Sequence, residues 1–417
     1  MLKFLQRSAL VLALLLATSL FSADIYVVNS ESRTLSHIDS TTGIVNNVFC
    51  QLGLTPNRFC LDADYIYVAL SGDNAIQMIS RQTGQSIRYI TIAPSSNPWD
   101  VVKVDGYLYV TGLFTDKVYK ISLQSYSVVA QISVGTAPEA LVATGGNLYV
   151  TNTGGYQNGY ANSSVSVIDL QSFSVTATIP VWYNPQYVIA SGDYLHVSCT
   201  GNWFNLAGKV SIINTLTNTV DHTLDIGGNL GGLWKSLEGI VYLGDGMNSG
   251  VYAYDAQSYS LLHTAANPLT PGGMAVSGSD SFIAVLNALW GQNGTVSLRN
   301  PDFSLQHTYI VALAPTDIQI YQTPTANEDL VASAVRVMAY PNPVQAGAEV
   351  HFSSAGKAPQ TVRIYNLRGQ QIDGFELTPA KSSWQAVDRQ GLALSAGVYL
   401  YRVTGKNSSS SGKFVIR

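Results

Sequence analysis

The feature that most constrains this chain is a repeat. Short aromatic-aliphatic segments carry Tyr26, Tyr67, Tyr109, Tyr149, His196, Tyr242 and Ile283 at matching places, 40 to 47 residues apart. That interval is the length of one four-stranded propeller blade. Each segment is followed by a second run such as Val165-Ser166-Val167-Ile168-Asp169, a polar turn such as Thr41-Thr42-Gly43, and a third run such as Val175 to Ile179. Proline stands before a further short run at Pro56, Pro98, Pro138, Pro185, Pro271 and Pro315. Having no N–H to give to a sheet, proline fits where a strand starts. The marker expected near residue 230 is replaced by Gly227-Gly228-Asn229-Leu230-Gly231-Gly232, so that copy is the divergent one.

The innermost runs are expected to begin near residues 58, 100, 140, 187, 233, 273 and 317, and the Tyr-bearing runs near 24, 65, 107, 147, 194, 240 and 281. Each series has seven members, and the two are out of phase. The repeats open on a strand without an inner neighbour and close on Asp317 to Tyr321, an inner strand without a successor. Pairing these two orphans seals a ring and leaves no inner edge exposed. The expected fold class is all-β, a seven-bladed β-propeller followed by a small immunoglobulin-like β-sandwich. Through Tyr149-Val150-Thr151-Asn152 and Tyr109-Val110-Thr111-Gly112, residues 24–322 resemble the YVTN-type propeller family. The resemblance implies a fold and leaves the role open, since members include surface-layer and periplasmic binding proteins as well as a few enzymes.

Lys3 and Arg7 precede an apolar run from Ala9 to Leu16 and small residues at Ala17, Ser19, Ser22 and Ala23, the order of a secretory signal over residues 1–23. That run is too short to cross a bilayer core of about 30 Å as a helix, and no later segment supplies the roughly 20 apolar residues a span needs. Only 12% of the residues are charged, against about 25% in an average domain. The formal charge of -4 falls by two, to -6, once Lys3 and Arg7 are removed, which argues against a polyanion as partner. Cys50, Cys60 and Cys199 make an odd count. Cys50 and Cys60 either pair or join Cys199 as buried thiols.

Residues 323–335 read as a linker, and residues 336–417 return to a β pattern. This tail resembles a type IX secretion C-terminal sorting domain through Tyr340-Pro341-Asn342-Pro343, Val362 to Asn366 with Gly369, Gly397-Val398-Tyr399, and Gly412-Lys413-Phe414-Val415-Ile416. The resemblance implies transport across an outer membrane, recognition by the secretion machinery and retention at the cell surface.

Ligands of a propeller meet the loops that lead into inner strands and leave second strands. Here those loops carry Phe114, Tyr156, Tyr160, Trp203, Phe204 and Trp290, with Trp99, Trp182, Tyr183 and Trp234 on the strand approaches. Aromatic planes among Asn, Gly and Asp suit a glycan, a peptide or an envelope protein. The same rings otherwise pad their own loops. Asp100, Glu139 and Asp317 follow their prolines closely and would form a carboxylate ring able to hold Ca²⁺, although acidic residues there also cap turns. That ring is the basis of the alternative reading, a hydrolase or lyase working with a divalent metal. Catalysis otherwise finds little support. His37, His196, His222, His263, His307 and His351 stand alone, and the sequence holds no nucleophile elbow, phosphate loop or zinc signature. For nucleic acid, Arg33, Arg58, Lys117, Lys209 and Lys235 face Glu31, Asp73, Asp100, Asp116, Glu139, Asp245 and Asp317 on this end, the wrong balance for phosphate contacts.

Overall fold

In the Tyr-bearing strands nearly every residue is buried, as in Tyr65–Leu70 and Asn147–Asn152, whereas outer strands such as Ser127–Ser133 alternate between half-buried and exposed. A strand with continuous apolar character is covered on both faces, and one that alternates has a face in water. The computed structural model describes residues 23–289, 291–322, 339–340, 342–352, 360–366, 370–378, 382–387, 391–404 and 409–417. Residues 1–22 of the proposed signal segment lie outside these, and Ala23 already belongs to the first strand. The chain divides into two compact units, Met1–Thr323 and Pro324–Arg417.

In the first unit, four-stranded antiparallel sheets follow one another along the chain, and each begins at its innermost strand. These inner strands are Pro56–Leu61, Pro98–Val104, Pro138–Thr144, Pro185–Ser191, Leu230–Lys235, Ala275–Gly278 and Pro315–Gln322. The last belongs to a composite sheet in which Ala23–Asn29 pairs with Pro315–Gln322 on one side and Thr34–Asp39 on the other. The two ends of the unit therefore close it. Apolar clusters fill the gap between each sheet and the next, from Tyr26, Val28, Phe59 and Ile66 at the first to Ile25, Val27, Ala284 and Ile318 at the closing one. The result is a β-propeller whose blades are numbered here from Pro56, the composite sheet being the seventh.

Five inner strands start at the proline itself, two residues earlier than the sequence pattern suggests. The residue before each of these prolines, Thr55, Asn97, Ala137, Asn184 or Ala314, has φ between 47° and 59°. Its carbonyl accepts a hydrogen bond from the loop that leaves the second strand, as in Thr153 N–H to Ala137 O, 3.0 Å. Just after each proline the register with the second strand shifts, at Pro56/Phe59, Pro98/Val101, Pro138/Leu141 and Pro185/Tyr187. Such a bulge re-aims side chains, here at the channel.

The Tyr-Val-Thr-Asn segment has a separate task for each polar residue. Tyr149 packs between blades three and four. Thr151 Oγ1 accepts the Ala140 N–H at 2.9 Å, and the matching Thr111 donates to the Glu139 carbonyl of the next blade at 2.7 Å. Asn152 Nδ2 donates to Ser166 Oγ on the third strand at 3.0 Å, and Asn29 does the same to Ser36 at 2.9 Å. Each buried polar group thus ties two strands or two blades together.

The divergent fifth blade is explained by close backbone approach. A Cβ on Gly231 would lie 2.1 Å from the Met274 carbonyl oxygen, and one on Gly244 would lie 2.3 Å from the Met274 carbonyl carbon. Only glycine allows this, and the parallel bridge Gly232 to Ala275 links the fifth and sixth sheets there. Cys50, Cys60 and Cys199 are all free.

In the second unit, Ala339–Tyr340, Glu349–Phe352 and Ser383–Gln385 form one sheet, and Gln371–Leu377, Gln360–Asn366, Gly397–Thr404 and Ser409–Ile416 form the other. Val350, Phe352 and Trp384 from the first pack on Val362, Ile364, Tyr401 and Phe414 from the second, giving a β-sandwich.

Candidate functional site

The loops leaving the second strands put large apolar side chains into water on five successive blades: Phe114, Tyr156, Phe204, Met247 and Leu289. Their exposure runs from 41% at Leu289 to 79% at Phe204. In the seventh and first blades the same loops carry Glu31 and Arg33, and Asp73 and Asn74. The apolar side chains form an arc, open where the charged loops lie.

Local polar groups hold this arc in shape. Asn202 Oδ1 accepts the backbone N–H of Phe204, Asn205 and Leu206 at 3.1, 3.0 and 2.8 Å, which winds the fourth-blade loop and turns Phe204 outward. The buried carboxylate of Asp245 accepts the Met247 and Asn229 N–H groups at 2.9 and 2.8 Å and the Tyr252 hydroxyl at 2.8 Å. Asp245, counted as a surface charge from sequence, is therefore interior.

Three predicted aromatics are brought together along the arc. Tyr156 meets Tyr160 edge-on at 6.1 Å between ring centroids, the Trp203 side chain lies beside Tyr160, and the Trp203 ring lies against Gly246. They make a ridge across blades three to five. Phe114 joins the arc one blade away. Trp99 is half-buried at the start of the second inner strand. Trp234 does not join them: it lies near the far end of its strand, its ring against Gly278 and stacked on Tyr242 at 6.3 Å. Trp290 lies outside the described residues. Met247 and Leu289 are not aromatic, and their shared position in the repeat is the sequence signal that marks them. They border a recess of about 260 Å³ that also touches Glu31, Asn248 and Pro315.

Asp100, Glu139 and Asp317 do converge, on Arg58. The guanidinium, 7% exposed, lies 3.9 Å from the Tyr187 ring centroid, donates to the Gln186 carbonyl at 2.7 Å and stands 3.8 Å from Asp100. Asp317 Oδ2 accepts the Phe59 N–H at 3.1 Å, and Asp100 Oδ2 accepts the Leu141 N–H at 3.4 Å. Glu139 Oε2 is buried and accepts no hydrogen bond among the described residues. Burial pushes the Asp100 and Glu139 carboxyls up to about 7 against the pull of Arg58, and raises Asp317 as well. Burial works against charge on Arg58 too, but Tyr187 and the carboxylates more than offset it. The cation that these carboxylates surround is the protein's own. Among the described residues, no three His, Cys, Asp or Glu side chains are placed to hold a metal ion together.

A further pocket, unforeseen in sequence, lies at the ring seam and encloses about 600 Å³. His37 Nε2 meets Asp24 Oδ1 at 2.7 Å, and Arg81 meets Asp24 Oδ2 at 3.1 Å while its guanidinium covers Tyr321 at 3.6 Å. Arg81 Nε also donates to the Ala63 carbonyl at 2.8 Å. This network fastens both strands of the seam to the first blade.

In the sandwich, Asn342 joins the Tyr340-Pro341-Asn342-Pro343 segment to the last strand, accepting the Val415 N–H at 2.9 Å and donating to the Lys413 carbonyl at 3.4 Å. Tyr340 stacks on His351, and the Tyr399 hydroxyl donates to the Ser395 carbonyl at 3.0 Å. Gly397 opens its strand, while Pro341 and Gly369 lie outside the described residues.

The architecture defines a β-propeller protein with a β-sandwich tail. Residues 338–417 match the family of the secretion system C-terminal sorting domain. The tail marks a secreted or cell-surface protein handled by the type IX machinery. No helix among the described residues is long and apolar enough to cross a membrane. No curated protein matches the sequence closely enough to count as a relative. Among solved structures, the chain is similar to hydrazine synthase of Kuenenia stuttgartiensis, at 14% identity and a TM-score of 0.54, covering 64% of this chain and 96% of that one. It is also similar to a functionally unknown protein from Desulfotomaculum acetoxidans DSM 771, at 13% identity and a TM-score of 0.57, covering 72% and 99%. At such identities the likeness is one of fold alone.

Proposed function

We propose that this is a surface-delivered recognition protein of the YVTN type, whose seven-bladed propeller binds an envelope partner through the arc of exposed side chains. Residues 1–23 serve as the export signal, residues 323–335 as a linker, and residues 336–417 as the sorting tail. One observation carries the reading: Phe114, Tyr156, Phe204, Met247 and Leu289 expose apolar surface at equivalent places on successive blades. An ordered apolar surface rimmed by polar loops is characteristic of an interaction site. Rings flanked by amides suit a glycan or a peptide, and the aliphatic Met247 and Leu289, which offer no stacking plane, favour a polypeptide.

The test is a Phe114→Ser, Phe204→Ser double variant presented in parallel to a glycan array and a displayed peptide library. The wild type is expected to retain peptides that the variant loses. Equal retention by both chains would refute the assignment of the face, and retention of glycans alone would refute the choice of partner. Fractionating cells that express the chain with and without residues 336–417 tests delivery: the shortened chain is expected to remain in the periplasm.

A further inference from the structure

The inner strands enclose a channel of about 520 Å³, lined by three or four consecutive residues from each. Burial grades along these strands. In Pro138–Thr144 the first four residues are buried and the last three half-buried, and Pro56–Leu61 grades the same way. The first residue is buried in all seven inner strands, and Asp100 and Asp317 near it are half-buried, so the channel is more closed at the end beneath the aromatic ridge than at the opposite face. Its walls are apolar, with Leu61, Val102, Val142, Ile189, Trp234 and Ile320 among them, and its closed end is polar, with Arg58, Asp100 and Asp317.

Charge at the closed end is unbalanced. Above about pH 7, where Asp100 and Glu139 are ionised, one guanidinium faces three carboxylates, and its Nη1 already donates to the Gln186 carbonyl and lies 3.8 Å from Asp100. Nearer the mouth, Lys103 and Asp62 cancel at 2.8 Å, and burial keeps the Cys60 thiol uncharged. An anion reaching Arg58 would meet a surplus of negative charge, whereas a cation would relieve it. A cavity of this size that combines apolar side chains with a few convergent polar groups is the form of a small-molecule site.

We infer that the channel binds a small ligand with an ammonium or guanidinium head and an apolar body, which enters from the face opposite the aromatic ridge and sets its head between Asp100 and Asp317. This site is independent of the recognition role assigned to the arc.

Three probes of one shape and different charge test it by calorimetry and tryptophan emission: 2-phenylethylammonium, 2-phenylethanol and 3-phenylpropionate. The ammonium is expected to bind roughly tenfold or more tightly than the alcohol, the margin one charged hydrogen-bond partner provides, and the carboxylate not at all. The emission change should vanish in Trp234→Phe, affinity should fall about tenfold in Asp100→Asn, and Phe204→Ser should bind as the wild type does. Should Asp100→Asn fail to fold, the three probes on the wild-type chain decide alone. Carboxylate binding as tight as the ammonium, no binding by any probe, or an emission change that survives in Trp234→Phe would overturn the inference.

Discussion

The two ends of the propeller's central region place their chemistry in opposite ways. At the ridge end, apolar groups stand in water on loops, and polar groups such as Asn202 and Asp245 work underneath to hold the backbone. At the closed end of the channel, charged groups are buried on strands, and the apolar residues around them form walls. The difference separates recognition from folding. A side chain held out by its loop contributes little to stability, whereas a buried charge cannot be removed without stranding its partners.

The sharpest break of this contrast is Arg58→Ala. It leaves the buried Glu139 and the half-buried Asp100 and Asp317 without their cation, and the expected loss is about 3–5 kcal/mol, the usual cost of breaking a buried pair. Urea denaturation measures it. A loss comparable to that of a loop variant would show that the cluster is solvated after all and would erase the distinction between the two ends.

Next in size comes a pH effect confined to the channel. The Asp100 and Glu139 carboxyls, raised to about 7 by burial, bind protons in the folded chain before they do in the unfolded one. The stability this confers is fully present below the unfolded values of about 4 and fades as the pH rises through about 7. His196 works the other way. Burial, with Lys235 adding to it, lowers this imidazole to about 4, and its Nδ1 lies 2.6 Å from the Tyr254 hydroxyl. Its contribution is present above its unfolded value of about 6.5 and is lost as the pH falls through about 4. With two carboxyls against one imidazole, the wild type should gain stability from pH 8 to pH 5, and Asp100→Asn with Glu139→Gln should lose most of that gain. Urea midpoints across this range check it, and an unchanged pH profile in the double variant would place the titration elsewhere.

A smaller effect tests whether the ridge is all surface. Trp203 links Tyr160 in one blade to Gly246 two blades on. Trp203→Ala should cost roughly 1–3 kcal/mol, as loss of a packed ring does, and so mark it, with the buried Tyr160, as a structural member of the ridge.

Much of this architecture was legible because it rests on spacing. The tyrosine repeat placed the second strands within a residue or two, and the orphan strands foretold the pairing of Ala23–Asn29 with Pro315–Gln322. What spacing could not supply was orientation after each proline. The bulge there sets extra residues against the partner strand, so alternation no longer tells which side chain enters the channel. Asp100 and Asp317 stand two residues after their prolines and Glu139 only one, yet all three reach Arg58. Trp234 was misplaced for a related reason: its blade has glycine where the proline marker belongs, so the residue looked nearer the strand's start than it is. Met247 and Leu289 went unnoticed because their meaning lies in recurrence of position rather than in residue type.

The smallest stability effect is the one that matters most to the recognition role. Phe204 is 79% exposed and Phe114 71%, so folding removes little of their surface from water. Replacing either with serine should change stability by no more than about 0.5 kcal/mol, as for surface substitutions away from caps and packed sites. The Asn202 side chain, which bonds backbone groups and not the ring, keeps the loop in place when Phe204 is replaced. Unchanged urea midpoints together with lost peptide binding would set the arc apart from the channel as a surface kept for a partner. A loss of stability near that of Trp203→Ala would instead mean that these rings pack on their own loops in solution, and the arc would then be part of the fold's support.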